Sequence, residues 1–297
     1  MVSGWNERDI YELFASLGMH CFMFLRVIRL KDLREQMLRA GYVPKLVALL
    51  KVPIFRPKTL KLLYHLSVDD RCKSMLTYAE GISLLMGLTL NFSQDLLAKE
   101  LAALMINLSY HPRNVEAMLA NKGLNLLMDR FADKRDILLM KIIRNVSLYT
   151  FNAQQELLAQ SSNHEVLNYR YRGLWSPHVK TLIEVMLEHS NSHDLAVEIA
   201  GCLANMTALD LPASANWSRL IKDHALLSFC ARLLVPGLAQ NDLVLEVVML
   251  IGTIATDSQA CELIASSNNL ISTLYQLLKD KVEDLEILLQ LLTLFHR

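Results

Sequence analysis

The sequence predicts an all-helical chain built by stacking one recurring unit, and three observations carry that prediction. Only 10 Gly and 7 Pro occur in 297 residues, and no stretch alternates β-branched with polar residues, so turns and strands for a sheet are scarce. Hydrophobic residues make up 53% of the chain, which supplies an ample core. A self-similar pattern also returns along the sequence, as stacked-repeat architectures require.

The clearest element of the unit is a long, two-faced helix. Its copies are TLKLLYHLS (59–67), LAALMINLS (101–109), LLMKIIRNVS (138–147), IAGCLANMT (199–207) and VVMLIGTIA (247–255). Their key residues, His65, Asn107, Asn145, Asn205 and Thr253, lie 42, 38, 60 and 48 residues apart. Positions −6, −3, −2 and +1 from the key residue are apolar in every copy, Thr59 being the one exception. At helical period these positions share one face. In the third copy Lys141, Arg144 and Asn145 gather opposite it, where they must meet water or a partner.

Upstream of these copies a second helix recurs, as in AGYVPKLVALL (40–50), EGISLLMGLTL (80–90), KGLNLLMDRF (122–131), SPHVKTLIEVML (176–187) and NNLISTLYQLL (268–278). Short helices such as DLREQMLRA and RNVEAMLAN come before it. The unit is thus a short helix, a glycine or turn, a second helix, a loop and a long third helix. The interval from Asn145 to Asn205 is too long by one insertion, centred on NHEVLNYRYRGLWS (163–176) within 155–176. An insertion of this kind reads as a surface loop.

This unit resembles the armadillo repeat over residues 31–297. The resemblance implies an all-α, right-handed superhelical solenoid of about six repeats, because no unit can bury its apolar face alone. Repeats are expected near 31–68, 69–110, 111–150, 151–209 with the insertion, 210–256 and 257–297, after an N-terminal helical segment, 1–30. Third helices would line the concave surface, making Lys61, His65, Asn107, Lys141, Arg144, Asn145, Asn205 and Thr253 a candidate groove for a partner peptide. An Asn amide both donates and accepts, so Asn107, Asn145 and Asn205 can pair with an extended backbone. Equally, they can brace neighbouring helices. Armadillo proteins that import nuclear cargo carry Trp one turn earlier, where this chain has Lys61, Ala103, Lys141, Gly201 and Met249; a basic nuclear signal is not the expected ligand. Apolar ends near 13–30 and 285–295 are expected to seek neighbours.

Charge is balanced overall, 30 basic against 30 acidic residues, which gives no general pull toward nucleic acid. Along the chain it is graded: residues 1–75 carry +6, residues 76–180 carry +2 and residues 181–297 carry −8. With Lys61, Lys141 and Arg144 on one face, the front of the groove is expected to favour acidic segments and the rear basic ones.

Five scattered cysteines without a C-x-x-C pair suggest neither a disulfide framework nor a zinc site. The apolar run 13–25 is too short to span a membrane, and the residues before it are not a basic signal-peptide front. His65, Asp69, Asp70 and Cys72 lie close in sequence, but VDDR reads as a helix start rather than a catalytic group. His164, His178, His189 and His193 lack a third ligand at metal-site spacing. No enzyme, metal or cofactor is expected.

Longer strings point to one family. LREQMLRAGYVPKLVALL, LKLLYHLSVDDRCKSMLTY, KELAALMINLSYHPRN, GLNLLMDRFADKRDILLMKIIRNVS and NDLVLEVVMLIGTIATDSQACELIA resemble the kinesin-associated protein family, the non-motor accessory subunits of heterotrimeric kinesin-2. The resemblance spans most of residues 33–290. It implies a non-catalytic cytoplasmic adaptor that binds kinesin-2 motor tails and cargo adaptor proteins for microtubule-based transport, including transport in cilia and flagella. A generic armadillo scaffold for signalling or adhesion partners is the alternative.

Overall fold

The computed structural model describes residues 31–160, 176–188, 192–206 and 217–296. The expected N-terminal helical segment, 1–30, and most of the insertion fall outside the described residues. Among the described residues the regular structure is helical and no strand occurs. The chain divides into two compact units, one reaching Gly123 and one starting at Leu124.

The first unit holds α1 (Lys31–Arg39), α2 (Tyr42–Leu50), α3 (Arg56–Leu66), α4 (Asp70–Tyr78), α5 (Gly81–Leu90), α6 (Lys99–Leu108) and α7 (Pro112–Leu119). Helix α8 (Gly123–Lys134) starts at its border. The second unit continues with α9 (Ile137–Gln160), α10 (Ser176–Glu188), α11 (His193–Ala204), α12 (Trp217–His224), α13 (Leu226–Leu233), α14 (Asn241–Ile254), α15 (Ser258–Ser266), α16 (Asn268–Asp280) and α17 (Leu285–Phe295). The order short, second and long third helix repeats through both units, with α3, α6, α9, α11, α14 and α17 as the third helices.

Local chemistry explains the boundaries. Aspartates open several helices: Asp69 accepts from Arg71 N, Asp257 from Gln259 N and Ala260 N, and Asp284 from Ile287 N. Each satisfies backbone donors that a helix start leaves unpaired. VDDR is therefore a cap. Between first and second helices the backbone turns through the left-handed region, at Gly41 (φ 69°), Glu80 (56°), Asn121 (55°), Lys122 (63°) and Ala225 (51°). The sequence expectation of a glycine or turn there resolves into a left-handed turn at these four junctions, with a glycine in that conformation only at Gly41, while the junction before α16 passes through Ser267 at φ −83°. At Gly123 the need is steric, because a Cβ would lie 1.7 Å from the Met118 carbonyl oxygen.

Packing follows the repeat. Third helices lie on third helices, α3 on α6 in the first unit and α9, α11, α14 and α17 in succession in the second. First helices pack on first helices (α4 on α7, α12 on α15) and second on second (α2 on α5, α13 on α16). Every apolar-stripe position of the five aligned copies is buried. Thr59 is buried as well, and its hydroxyl donates to the Phe55 carbonyl at 2.9 Å, so its polar atom stays satisfied. Counted from the N-cap, Leu292 and Phe295 of α17 stand where α14 has Val248 and Ile251. The α14 pair is fully buried, whereas Leu292 and Phe295 are 52% and 44% exposed. Helix α14 is covered by α17 packed on it.

Ile143, fully buried on α9, tests this packing. Ile143→Ala is expected to destabilise the chain by about 2–4 kcal/mol, the usual cost of a truncated core side chain. Urea unfolding followed by circular dichroism measures it; an unchanged midpoint would remove the stripe from the core.

Candidate functional site

The polar face of the third helices starts from a serine two residues after the key position. Ser67, Ser109 and Ser147 each turn their hydroxyl back to a carbonyl three residues earlier, on Tyr64, Ile106 and Arg144, at 2.7 Å in all three cases. Ser67 and Ser109 close the ends of α3 and α6, whereas Ser147 lies within α9; Ser67 and Ser147 present their oxygen to the next third helix. In the first unit Asn107 donates its amide to Ser67 Oγ at 3.1 Å. In the second, Asn205 donates to Ser147 Oγ and to the Arg144 carbonyl, both at 3.2 Å. Thr253 donates to the Ala204 carbonyl at 2.8 Å.

Of the two roles the sequence leaves open for these residues, the structure displays the brace: Asn107, Asn205 and Thr253 tie each third helix to the one before. All three are half-buried, as are His65 and Asn145, with the His65 ring 5.1 Å from that of Tyr64. Lys61 on α3 is exposed.

The cations of α9 have partners that the repeat alignment does not single out. Arg144 leaves α9, crosses Gly201 of α11 and reaches Glu246 of α14, so one side chain touches three successive third helices. On the way its Nη1 lies 3.4 Å from Glu198 Oε2, and Lys141 Nζ lies 3.5 Å from Glu198 Oε1. A Cβ on residue 201 would lie 2.3 Å from the Arg144 Cζ, so the absent side chain is what lets the guanidinium rest on α11. Glu198 and Glu246 share a register, seven residues before Asn205 and Thr253.

Their side chains are only 10% and 11% exposed, against 25% for Arg144 and 46% for Lys141. Burial works against the Arg144 charge, yet Glu246 and Glu198 outweigh it and hold its pKa above the ordinary value. The Glu246 carboxyl also moves up, because burial penalises its charge more than Arg144 stabilises it. Its Oε2 is buried with no hydrogen-bond partner among the described residues. The positive front that Lys61, Lys141 and Arg144 suggest is thus countered in the second unit by two glutamates of the following helices.

The remaining chemical candidates do not converge. Cys72 is buried and its thiol is pushed up to about 12 by that burial, which leaves essentially no thiolate at neutral pH. His178 lies 3.2 Å from Asn125 Oδ1, and burial lowers its pKa. His193 pairs with Asp242 at 2.9 Å; His164 and His189 fall outside the described residues. No group of three or more His, Cys, Asp or Glu that could hold a metal ion occurs among the described residues. Nor is any of their helices long and apolar enough to cross a membrane.

Comparison with known proteins gives a coherent picture. The profile of the family described as Kinesin-associated protein (KAP) matches residues 20–297. An engineered protein of known crystal structure superposes with a TM-score of 0.64 at 17% identity, covering 86% of this chain and 95% of that one. A designed armadillo repeat protein, solved in complex with the peptide (KR)4, superposes with a TM-score of 0.60 at 16% identity, over 86% of this chain and 98% of that one. At such identities the likeness concerns the fold, which is the all-α armadillo-repeat fold.

Two substitutions test the polar face. Asn205→Ala removes two donated hydrogen bonds and is expected to lower stability by about 1–2 kcal/mol; unchanged unfolding would free Asn205 from its bracing role. Arg144→Ala leaves Glu246 buried without its cation and is expected to cost about 2 kcal/mol at neutral pH, below the fully buried range because Arg144 is partly exposed. The Glu246 pKa is raised in the folded state, and loss of Arg144 raises it further. On acidification the folded carboxyl therefore takes its proton before the unfolded one, so the Arg144→Ala penalty is present at neutral pH and shrinks as pH falls through the raised pKa of Glu246. Denaturant titrations of both proteins across that range measure it.

Proposed function

The chain belongs to the kinesin-associated protein family, and on that premise we propose that it is a non-catalytic adaptor binding the tails of kinesin-2 motor subunits. It links them, through cargo adaptor proteins, to material moved along microtubules, including transport within cilia. Its place is then the cytoplasm and cytoskeleton, with the cilium or flagellum and its base. The observation that carries this reading is the family match over residues 20–297.

The fold supports the reading in physical terms. A third helix with one apolar and one polar face is held by its neighbours on the first and offers the second to a partner. In the first unit Lys61, His65 and Asn107 provide that face, and in the second Lys141, Arg144, Asn145, Asn205 and Thr253 provide it. A designed protein of the same fold was solved in complex with a peptide, which is the mode of binding proposed for this face. Asn107 and Asn205 donate to their neighbours through the amide nitrogen, and an Asn carbonyl oxygen remains an acceptor for a peptide N–H.

Affinity capture from a ciliated-cell extract tests the proposal. With the full chain as bait, the two kinesin-2 motor chains are expected to co-purify. Recovery of signalling or adhesion partners without either motor chain would favour the general armadillo scaffold instead.

A further inference from the structure

We propose that Glu198 and Glu246 form a subsite for a basic side chain of a bound polypeptide, and that Arg144 is its intramolecular occupant. The inference rests on the partner-binding face described above and gives the chemistry of one place on it.

Four observations point there. Glu198 and Glu246 stand at the same register on adjacent third helices, the spacing at which an extended chain crossing both helices meets each in turn. Their carboxylates lie on the helices' polar face, nearly covered, where water competes weakly and a guanidinium is held by charge-assisted bonds. Gly201 leaves the surface between them open to a flat cationic group, which the Arg144 guanidinium demonstrates by lying on it. Finally, Glu246 Oε2 is buried and lacks a donor among the described residues, so Arg144 does not use the full acceptor capacity of the site.

Arg144 is held closely by Glu246 alone, so a cation that takes over that one carboxylate releases it. A quarter of its side chain is exposed, its hold on Glu198 is long at 3.4 Å, and Lys141 stays beside Glu198 when it goes. With Arg144 seated, Lys141, Arg144, Glu198 and Glu246 sum to no net charge, and a basic segment feels little attraction. Once an incoming Arg or Lys displaces it, Arg144 swings to solvent. The site thus discriminates by exchange: it admits a ligand cation that satisfies both glutamates better than the resident one does. In this part of the chain the ligand is basic, consistent with the acidic balance of residues 181–297.

The test uses the full chain and a fluorescently labelled alternating Lys-Arg octapeptide, with binding read as anisotropy at low salt. Arg144→Gln removes the resident cation and is expected to tighten peptide binding about tenfold, the equivalent of one good charged contact. Adding Glu246→Gln to that variant is expected to abolish the gain, as is adding Glu198→Gln. Lys222→Gln, which makes the same change in net charge at an exposed site on α12, is expected to leave binding at the parent level. If Arg144→Gln does not fold, Arg144→Lys keeps the charge but loses the fork that reaches Glu246, and an intermediate gain is expected.

Equal binding by the parent and the Arg144 variant that folds would overturn the proposal, as would a gain that persists without Glu246 or one matched by Lys222→Gln. The capture of motor chains reads the adaptor function separately. A peptide gain without motor capture retains the subsite and removes the kinesin assignment; motor capture without a peptide gain does the reverse.

Discussion

The structure depends on one constraint: no third helix can bury its own apolar stripe. Positions −6, −3, −2 and +1 of each copy are buried, and within each unit third helix lies on third helix. A stripe of four apolar residues per repeat, worth roughly 25 cal/mol for each Å² removed from water, stabilises the fold only when the next repeat is in place. Stability in such a stack is a sum over neighbouring interfaces.

The same stacking determines what the polar face can do. Third helices packed side by side bring the end of one within hydrogen-bonding reach of the key residue on the next. Asn107, Asn205 and Thr253 answer that need by donating to Ser67, Ser147 and the Ala204 carbonyl. These bonds align the repeats and leave the outward surface to side chains placed one or two turns earlier. Lys141, Glu198 and Glu246 stand there, and Arg144, the residue before Asn145, acts as a strap over three helices, with Gly201 as the point it crosses. A partner that engages this face therefore meets groups already engaged with each other, and its specificity arises from which of those contacts it can replace.

Net charge is a poor guide to that chemistry. The fall from +6 in residues 1–75 to −8 in residues 181–297 is real, but Arg144 belongs to the less acidic part of the chain and finds its counterions in the most acidic part. Over a few ångströms, at sites a tenth exposed, pairing dominates the local field; summed charge acts at longer range, on encounter rates.

The all-α class, the repeat, the third-helix copies and their buried faces were legible in the sequence by itself, because each rests on period and composition along one chain. The capping role of VDDR was legible for the same reason, since a cap is a contact between residues two or three apart. Only the tertiary structure decided which polar atoms meet across repeats. Asn107 and Ser67 are 40 residues apart, and Arg144 and Glu246 are 102 apart, so no local pattern contains their pairing. The recurrence of Glu198 and Glu246 seven residues before their key positions was a visible hint of a shared face. That Arg144 would reach both depended on Gly201 lying beneath it, and closeness of that kind exists only once the helices have packed.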